Sequence, residues 1–279
     1  MEKQKEMVKD LKRDIEAEEL KMRLSAIKHK VFVLSGKGGV GKSTVAVNVA
    51  ILLAFQGKKV GLLDIDIHGP NVPKMLGVEG RRVSGTEKNL NPYEYMPNLK
   101  LMSVAFLLPE SDSAVIWRGP LKMHLIEQFL RDVDWGKLDY LVVDAPPGTG
   151  DESLSICQLV PDADGAIIVT TPQEVSVLDV RKCITFCRQV KTPVLGVVEN
   201  MSGFTCPHCG EKVNLFKSGG GEKMAKEMEV AYLGSIPIDP GIVEGGDAGR
   251  PIVSLYADSP TKRSFLELVK RIIEVTSAK

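Results

Sequence analysis

Residues 36–44, GKGGVGKST, hold Gly36, Gly41, Lys42 and Ser43 at the spacing G-x-x-x-x-G-K-[ST], the pattern of a loop that wraps phosphate. Glycines let backbone N–H groups turn toward phosphate oxygens, and a helix opening at Lys42 adds the partial positive charge of its N-terminus. Lys42 would reach the β- and γ-phosphate oxygens, and the Ser43 hydroxyl would ligate Mg2+. Lys37, directly after the first glycine, is a second cation that the pattern does not require. Acidic residues stand where a nucleotide hydrolase needs them, at the ends of later apolar runs: Asp64 and Asp66 in VGLLDIDIHGPN, and Asp144 in LDYLVVDAPPGTGDE. Asp144 is the expected carboxylate that holds Mg2+ through water, and the Gly-Pro loop behind it suits sensing of the γ-phosphate. Asp64 and Asp66 have the same parity and share a face if the strand persists that far. The competing role for Asp64 and Asp151 is to cap the helix that follows.

A second chemistry sits in FTCPHCGEK, where Cys206 and Cys209 have the C-x-x-C spacing that lets two thiolates converge on one metal. Redox dithiols and zinc knuckles share that spacing. Structural zinc and cubane iron-sulfur clusters both usually take four ligands, and this loop offers only two thiols per chain. A symmetric dimer would bring the missing pair to its axis. His208, between the two, is a further candidate donor. Cys183 and Cys187, four apart in a predicted helix, and Cys157 fit core positions instead.

The elements that must position these groups alternate. Residues 1–27 read as a charged helix with Val8, Leu11 and Ile15, then Leu20, Leu24 and Ile27, at helical spacing. This is an N-terminal arm, residues 1–28, ahead of a domain over 29–279 that carries the C-x-x-C loop at about 201–221. From Lys30 onward KVFVLS, a helix from Lys42 to about Gln56, KKVGLLDID, LDYLVVDAP, DGAIIVTTP, TPVLGVVEN and AYLGSIP predict an α/β fold, with a mostly parallel twisted sheet flanked by helices. Residues 69–113, rich in Pro, Gly and Asn, read as an insertion with at least one strand, LKLMSVAFL.

Composition narrows the class. The 279 residues suit one large domain, and 43% hydrophobic with 26% charged residues is the balance of a soluble globular protein. With 36 basic against 36 acidic residues there is no electrostatic argument for nucleic acid. No run reaches the roughly 18 apolar residues of a bilayer span, and the first thirty residues lack a signal-peptide core, so a cytoplasmic location is expected. Five cysteines without such a signal fit a reducing compartment.

GKGGVGKST resembles the deviant Walker A motif of the MinD/ParA-type P-loop ATPases, a class that works as dimers sandwiching two nucleotides. That resemblance implies a nucleotide loop of Gly36, Lys37, Gly38, Gly39, Val40, Gly41, Lys42, Ser43 and Thr44, with Lys37 reaching the phosphates of the other subunit's nucleotide. It makes Asp66 the residue that orients the attacking water, Asn200 a reader of the adenine edge, and Pro237 and Asp239 linings of the adenine pocket. Combined with CPHC, the chain is similar to the Mrp-type iron-sulfur cluster carrier ATPases, also called the ApbC/Nbp type. The similarity runs from about Lys30 to the C-terminus and includes LLDIDIHGPN, IWRGP at Ile116 to Pro120, VENMSGFTCPHCG and GSIPIDP. It implies an ATPase that assembles a [4Fe-4S] cluster between the Cys206 and Cys209 pairs of a homodimer and passes it to apo-proteins, with ATP gating the process. A second, N-terminal cluster site found in some relatives is not expected, since no cysteine precedes Cys157. The alternative is a MinD/ParA-like ATP-dependent spatial or partner-regulating switch whose C-x-x-C holds structural zinc. Its support is a tail stripe of Phe265, Leu268, Val269, Ile272 and Ile273 beside Lys270 and Arg271, which could lie on a membrane or dock on the domain's own sheet.

Overall fold

The computed structural model describes residues 2–86, 89–107, 119–206, 208–255 and 258–278. Helix α1 (Glu2–Ser25) leads into β1 (Ile27–Ser35), α2 (Lys42–Phe55), β2 (Val60–Asp64) and α3 (Val72–Met75). The insertion contributes β3 (Ser84–Thr86), β4 (Asn89–Asn91), β5 (Tyr93–Met96) and β6 (Leu99–Ser103), with a 3-10 turn over Val104–Leu107. The alternation resumes with α4 (Gly119–Arg131), β7 (Leu138–Asp144), α5 (Asp151–Leu159), β8 (Gly165–Thr170), α6 (Glu174–Gln189) and β9 (Val194–Glu199). A short hairpin, β10 (Phe204–Thr205) and β11 (Lys212–Val213), precedes α7 (Gly220–Glu227), β12 (Tyr232–Ser235), α8 (Pro240–Asp247), α9 (Ile252–Leu255) and α10 (Pro260–Ser277). Of the IWRGP motif, residues 116–118 lie outside the described residues, as do residues 108–113 of the insertion.

The main sheet has the order β12-β9-β8-β1-β7-β2-β6-β5, parallel throughout except for β5, which pairs antiparallel with β6 at the edge. Strands β2 and β8 are buried at every position, which requires cover on both faces and explains why their sequences do not alternate. Helix α2 is apolar all round and buried from Val45 through Ala54, packing on β1, β2 and β7. Each of its buried Val, Ile and Leu side chains contributes about 1.5–3 kcal/mol. Asn48, the polar exception, is satisfied: its amide donates to the Thr44 carbonyl at 2.8 Å.

The parallel order places the C-terminal ends of β1, β2, β7 and β9 on one edge of the sheet, with β1 seated between β7 and β8. Open α/β sheets bind ligands at such an edge, outside the strand ends. Registers Asp64↔Asp144 and Val33↔Asp144 bring two of the candidate acids level with the start of the phosphate loop.

Several boundaries differ from expectation. Ile27 belongs to β1, opposite Leu138, because Ile27, His29 and Val31 continue an inward pattern that the helix cannot share. Strand β2 stops at Asp64, so Asp66 lies in the following turn and does not share a strand face with Asp64. In the tail, Phe265, Leu268, Val269 and Ile272 are buried, with α10 packed on α2 and β12, so that stripe is consumed by the domain itself. No helix among the described residues is long and apolar enough to cross a membrane. The end of α1 is anchored by buried Leu20 and Leu24 and by Arg23, 3.1 Å from Asp134.

Candidate functional site

The phosphate loop turns between β1 and α2. Gly41 precedes α2 with φ 82°, a left-handed conformation that favours glycine, and a Cβ there would stand 2.1 Å from Asn200 Nδ2. No side chain among the described residues caps α2, so the N–H groups of its first turn remain for a ligand. Lys42 is buried behind the loop, with its ammonium 2.6 Å from Asp144 Oδ1, 3.7 Å from Asp66 Oδ2 and 3.5 Å from Ser43 Oγ. The other oxygen of Asp144, Oδ2, is buried with no hydrogen-bond partner among the described residues.

The three aspartates differ by depth. Asp64 is fully buried, with Oδ1 accepting from the Asp66 amide at 3.1 Å and Oδ2 from the Ser103 hydroxyl at 2.8 Å. Burial, then the Asp144 charge, pushes its pKa up to about 8, against the pull of Ser103 and Lys42. Asp66 lies at the cavity; burial raises its pKa as well, opposed by Lys42.

Above the loop opens a cavity of about 570 Å3, lined by Lys37, Gly38, Gly39, Gly41, Lys42, Ser43 and Thr44 on one side. Its far wall is Asn200, Met201, Phe216, Pro237, Ile238 and Asp239. Asn200 Nδ2 donates to the Val40 carbonyl at 2.9 Å, which ties this wall to the phosphate loop. Asp239 also caps α8, accepting from the Gly241 amide at 2.9 Å. Lys37 lines the cavity, half-buried, and makes no ion pair among the described residues.

Cys206 and Cys209 sit outside the cavity, on the tip of the β10–β11 hairpin. The turn is closed by the Cys206 amide donating to the Glu211 carbonyl and the Gly210 amide donating to the Cys206 carbonyl, both at 2.9 Å. Cys206 is half-buried and Cys209 exposed. The backbone N–H groups of Cys209 and His208, with the Cys209 thiol, donate to the Cys206 sulfur and hold its pKa below the ordinary thiol value. Among the described residues no three His, Cys, Asp or Glu side chains are grouped to hold a metal ion within one chain. Cys157, Cys183 and Cys187 are buried; burial pushes the Cys157 thiol up to about 11, and a hydrogen bond with Cys183 raises that of Cys187.

Residues 26–273 match the family described as ParA, NUBPL iron-transfer P-loop NTPase. This chain belongs to that family. An iron-sulfur cluster carrier protein of Methanocaldococcus jannaschii is 52% identical over 272 residues, 97% of this chain and 93% of the relative. A cytosolic Fe-S cluster assembly factor NUBP2 homolog of Nematostella vectensis is 50% identical, covering 91% and 96%. A nucleotide-binding protein of Archaeoglobus fulgidus, solved in complex with ADP and with cobalt found in it, superposes with TM-score 0.77 at 42% identity, covering 90% and 96%. The cell division ATPase MinD of Pyrococcus furiosus, at 24% identity, shares the fold with TM-score 0.64 over 88% and 99%.

In this P-loop NTPase the structure gathers most of the expected residues. Lys37 to Thr44, except Val40, line the cavity with Asp66, Asn200, Pro237 and Asp239, while Gly36 and Val40 shape the loop from beneath. Asp144 reaches the site through Lys42, and Asp64 stands behind it with no surface on the cavity. Sequence reasoning passed over Ser103, Phe216 and Glu199. Only Glu199 left a signal, a charge closing an otherwise apolar strand in VLGVVEN.

Proposed function

We propose that this iron-transfer NTPase hydrolyses ATP and carries iron-sulfur clusters, working as a homodimer that binds a [4Fe-4S] cluster between two Cys206/Cys209 pairs and delivers it to apo-proteins in the cytoplasm. The observation that carries this reading is the hairpin tip: one half-buried and one exposed thiol, the first with its pKa lowered by backbone amides, on a loop rooted beside the nucleotide cavity. A single chain supplies two of the four ligands such a cluster takes, and a second copy supplies the others. Lys37, in the cavity wall with no ion pair among the described residues, would serve the neighbour's nucleotide, and Asp66 would orient the attacking water.

The residues also fit Mg2+. The Ser43 hydroxyl and the unpartnered Asp144 Oδ2 are oxygen donors beside the Lys42 ammonium, and they would hold the ion, Asp144 through water. When bound, Mg2+ neutralises charge on the β- and γ-phosphates. Asn200, Pro237 and Asp239 would enclose the adenine.

The test is anaerobic reconstitution with iron and sulfide, read by the sulfur-to-iron charge-transfer absorption and by the mass of the assembly. Cluster bound to a dimer, and lost in Cys206→Ala and Cys209→Ala, is the expected result. A wild-type protein without the band, or variants that keep it, overturns the proposal. Zinc in place of iron and sulfide in anaerobically purified protein would make the site structural.

A further inference from the structure

Residues 201–219 leave the sheet after β9, carry the two cysteines, and return at α7. The same segment walls the nucleotide cavity, through Met201 at its start and Phe216 near its end. Both of its ends converge on Glu199, which is fully buried and used by neither the phosphate loop nor the thiol pair. Glu199 Oε1 accepts from the Ser202 hydroxyl at 2.5 Å and from the Gly219 amide at 2.9 Å, while Oε2 accepts from the Gly221 amide at 2.5 Å. Carboxylate hydrogen bonds to amides at a helix start are of the strong, charge-assisted kind. Glycine at 221 leaves room for this contact: a Cβ there would lie 3.1 Å from Glu199 Oε2 and 3.2 Å from Glu199 Cβ, tighter than ordinary van der Waals contact.

The other side of the loop's root is held by the Ser202 amide on the Ile236 carbonyl, 2.9 Å, and the Ile238 amide on the Gly203 carbonyl, 2.8 Å. Ile238 is itself part of the cavity wall. Asn200, the next residue after Glu199, is bonded to the phosphate loop. The root of the cysteine loop is therefore clasped between two strands that both end against the nucleotide cavity.

We propose that Glu199 is a positioning residue that couples the two sites: it fixes the root of the cysteine loop to the strand carrying Asn200, so that nucleotide seated against Met201 and Phe216 changes how the two thiols are presented. This rests on reading Cys206 and Cys209 as the metal-binding pair. A nucleotide shifts the loop only to the extent that it binds the two arrangements with different affinity.

The experiment measures alkylation rates of Cys206 and Cys209 with iodoacetamide in the metal-free full chain, with and without saturating ADP, resolved by peptide mass. In wild type, ADP changes the rate by about threefold or more. In Glu199→Gln one acceptor becomes an NH2 group facing an amide donor, so the clasp opens on one side; ADP still binds by calorimetry, but the rate response falls by at least about half. A wild-type rate indifferent to bound ADP, or a full response in Glu199→Gln, overturns the proposal. Should Glu199→Gln fail to fold, Ser202→Ala, which removes one half-buried donor, decides: a reduced response supports the clasp and a full one refutes it. Because alkylation needs no iron, failed cluster reconstitution with ADP-responsive thiols would sink the carrier reading and leave the coupling standing.

Discussion

Asp64→Asn should make this protein more stable as the pH rises. Asp64 and Asp144 end neighbouring strands in register, both without solvent exposure, and share one cation, Lys42, which bonds Asp144 at 2.6 Å. Burial and the Asp144 charge lift the Asp64 pKa from 3.8 to about 8, so its carboxyl keeps its proton at neutral pH. The unfolded chain releases that proton near 3.8 and the folded chain only near 8. Between those values the folded state binds more protons, and stability falls with rising pH, by up to about 1.4 kcal/mol per unit. The whole interval therefore costs on the order of 5 kcal/mol. Asparagine is the neutral isostere: its oxygen accepts from the Asp66 amide and its NH2 donates to Ser103 Oγ, the two partners Asp64 has now. Urea or thermal unfolding of nucleotide-free wild type and variant across a pH series isolates the difference, because other titrating groups are common to both. The expected difference is near zero below about pH 3.5 and grows to several kcal/mol, on the order of 10 °C in Tm, by about pH 8.5. A difference independent of pH, or a variant less stable than wild type at high pH, would show that Asp64 is an ionised, paired carboxylate and refute the reasoning.

Lys37→Ala should keep nucleotide affinity within about threefold while turnover drops by on the order of 10^3, measured by calorimetry and phosphate release; unchanged turnover defeats the trans role. Gly41→Ala forces a side chain into a left-handed conformation, costing roughly 1–2 kcal/mol, and displaces Asn200 from the Val40 carbonyl, costing about 1 more. Nucleotide affinity should weaken by about tenfold or more, and an unaltered binding isotherm would contradict the geometry. In the native chain iodoacetamide should label Cys206 while sparing Cys157, Cys183 and Cys187. Its rate should reach half-maximum below the ordinary thiol pKa of 9, because amide donors hold the Cys206 thiolate; a midpoint at or above 9 would mean the turn does not stabilise it.

The phosphate loop was legible because its chemistry requires fixed spacing along the chain: glycines, lysine and serine act within one turn. Strand ends were legible because parallel strands buried on both faces read as apolar runs that stop at a charge. What spacing does not carry is depth. Asp64 and Asp66 have one residue between them and the same side chain, yet Asp64 faces Ser103 from a neighbouring strand and Asp66 reaches Lys42 at the cavity. The difference comes from β2 ending at Asp64 and from the pairings β2–β6 and β2–β7, which are long-range facts. Glu199 was hidden for a related reason, its amide partners lying 20 and 22 residues further along the chain.

Three acids around one lysine divide their work by depth. If all three were ionised beside Lys42, the site would hold two uncompensated negative charges where a polyphosphate has to bind, and repulsion would oppose the ligand. Retention of a proton on Asp64 removes one of them without removing the carboxyl group that fixes the Asp66 amide. Asp144 then pairs with Lys42, and Asp66 is the acid left lining the cavity. The motif D-x-D supplies the two residues, and the burial of the first leaves the second as the one that lines the cavity.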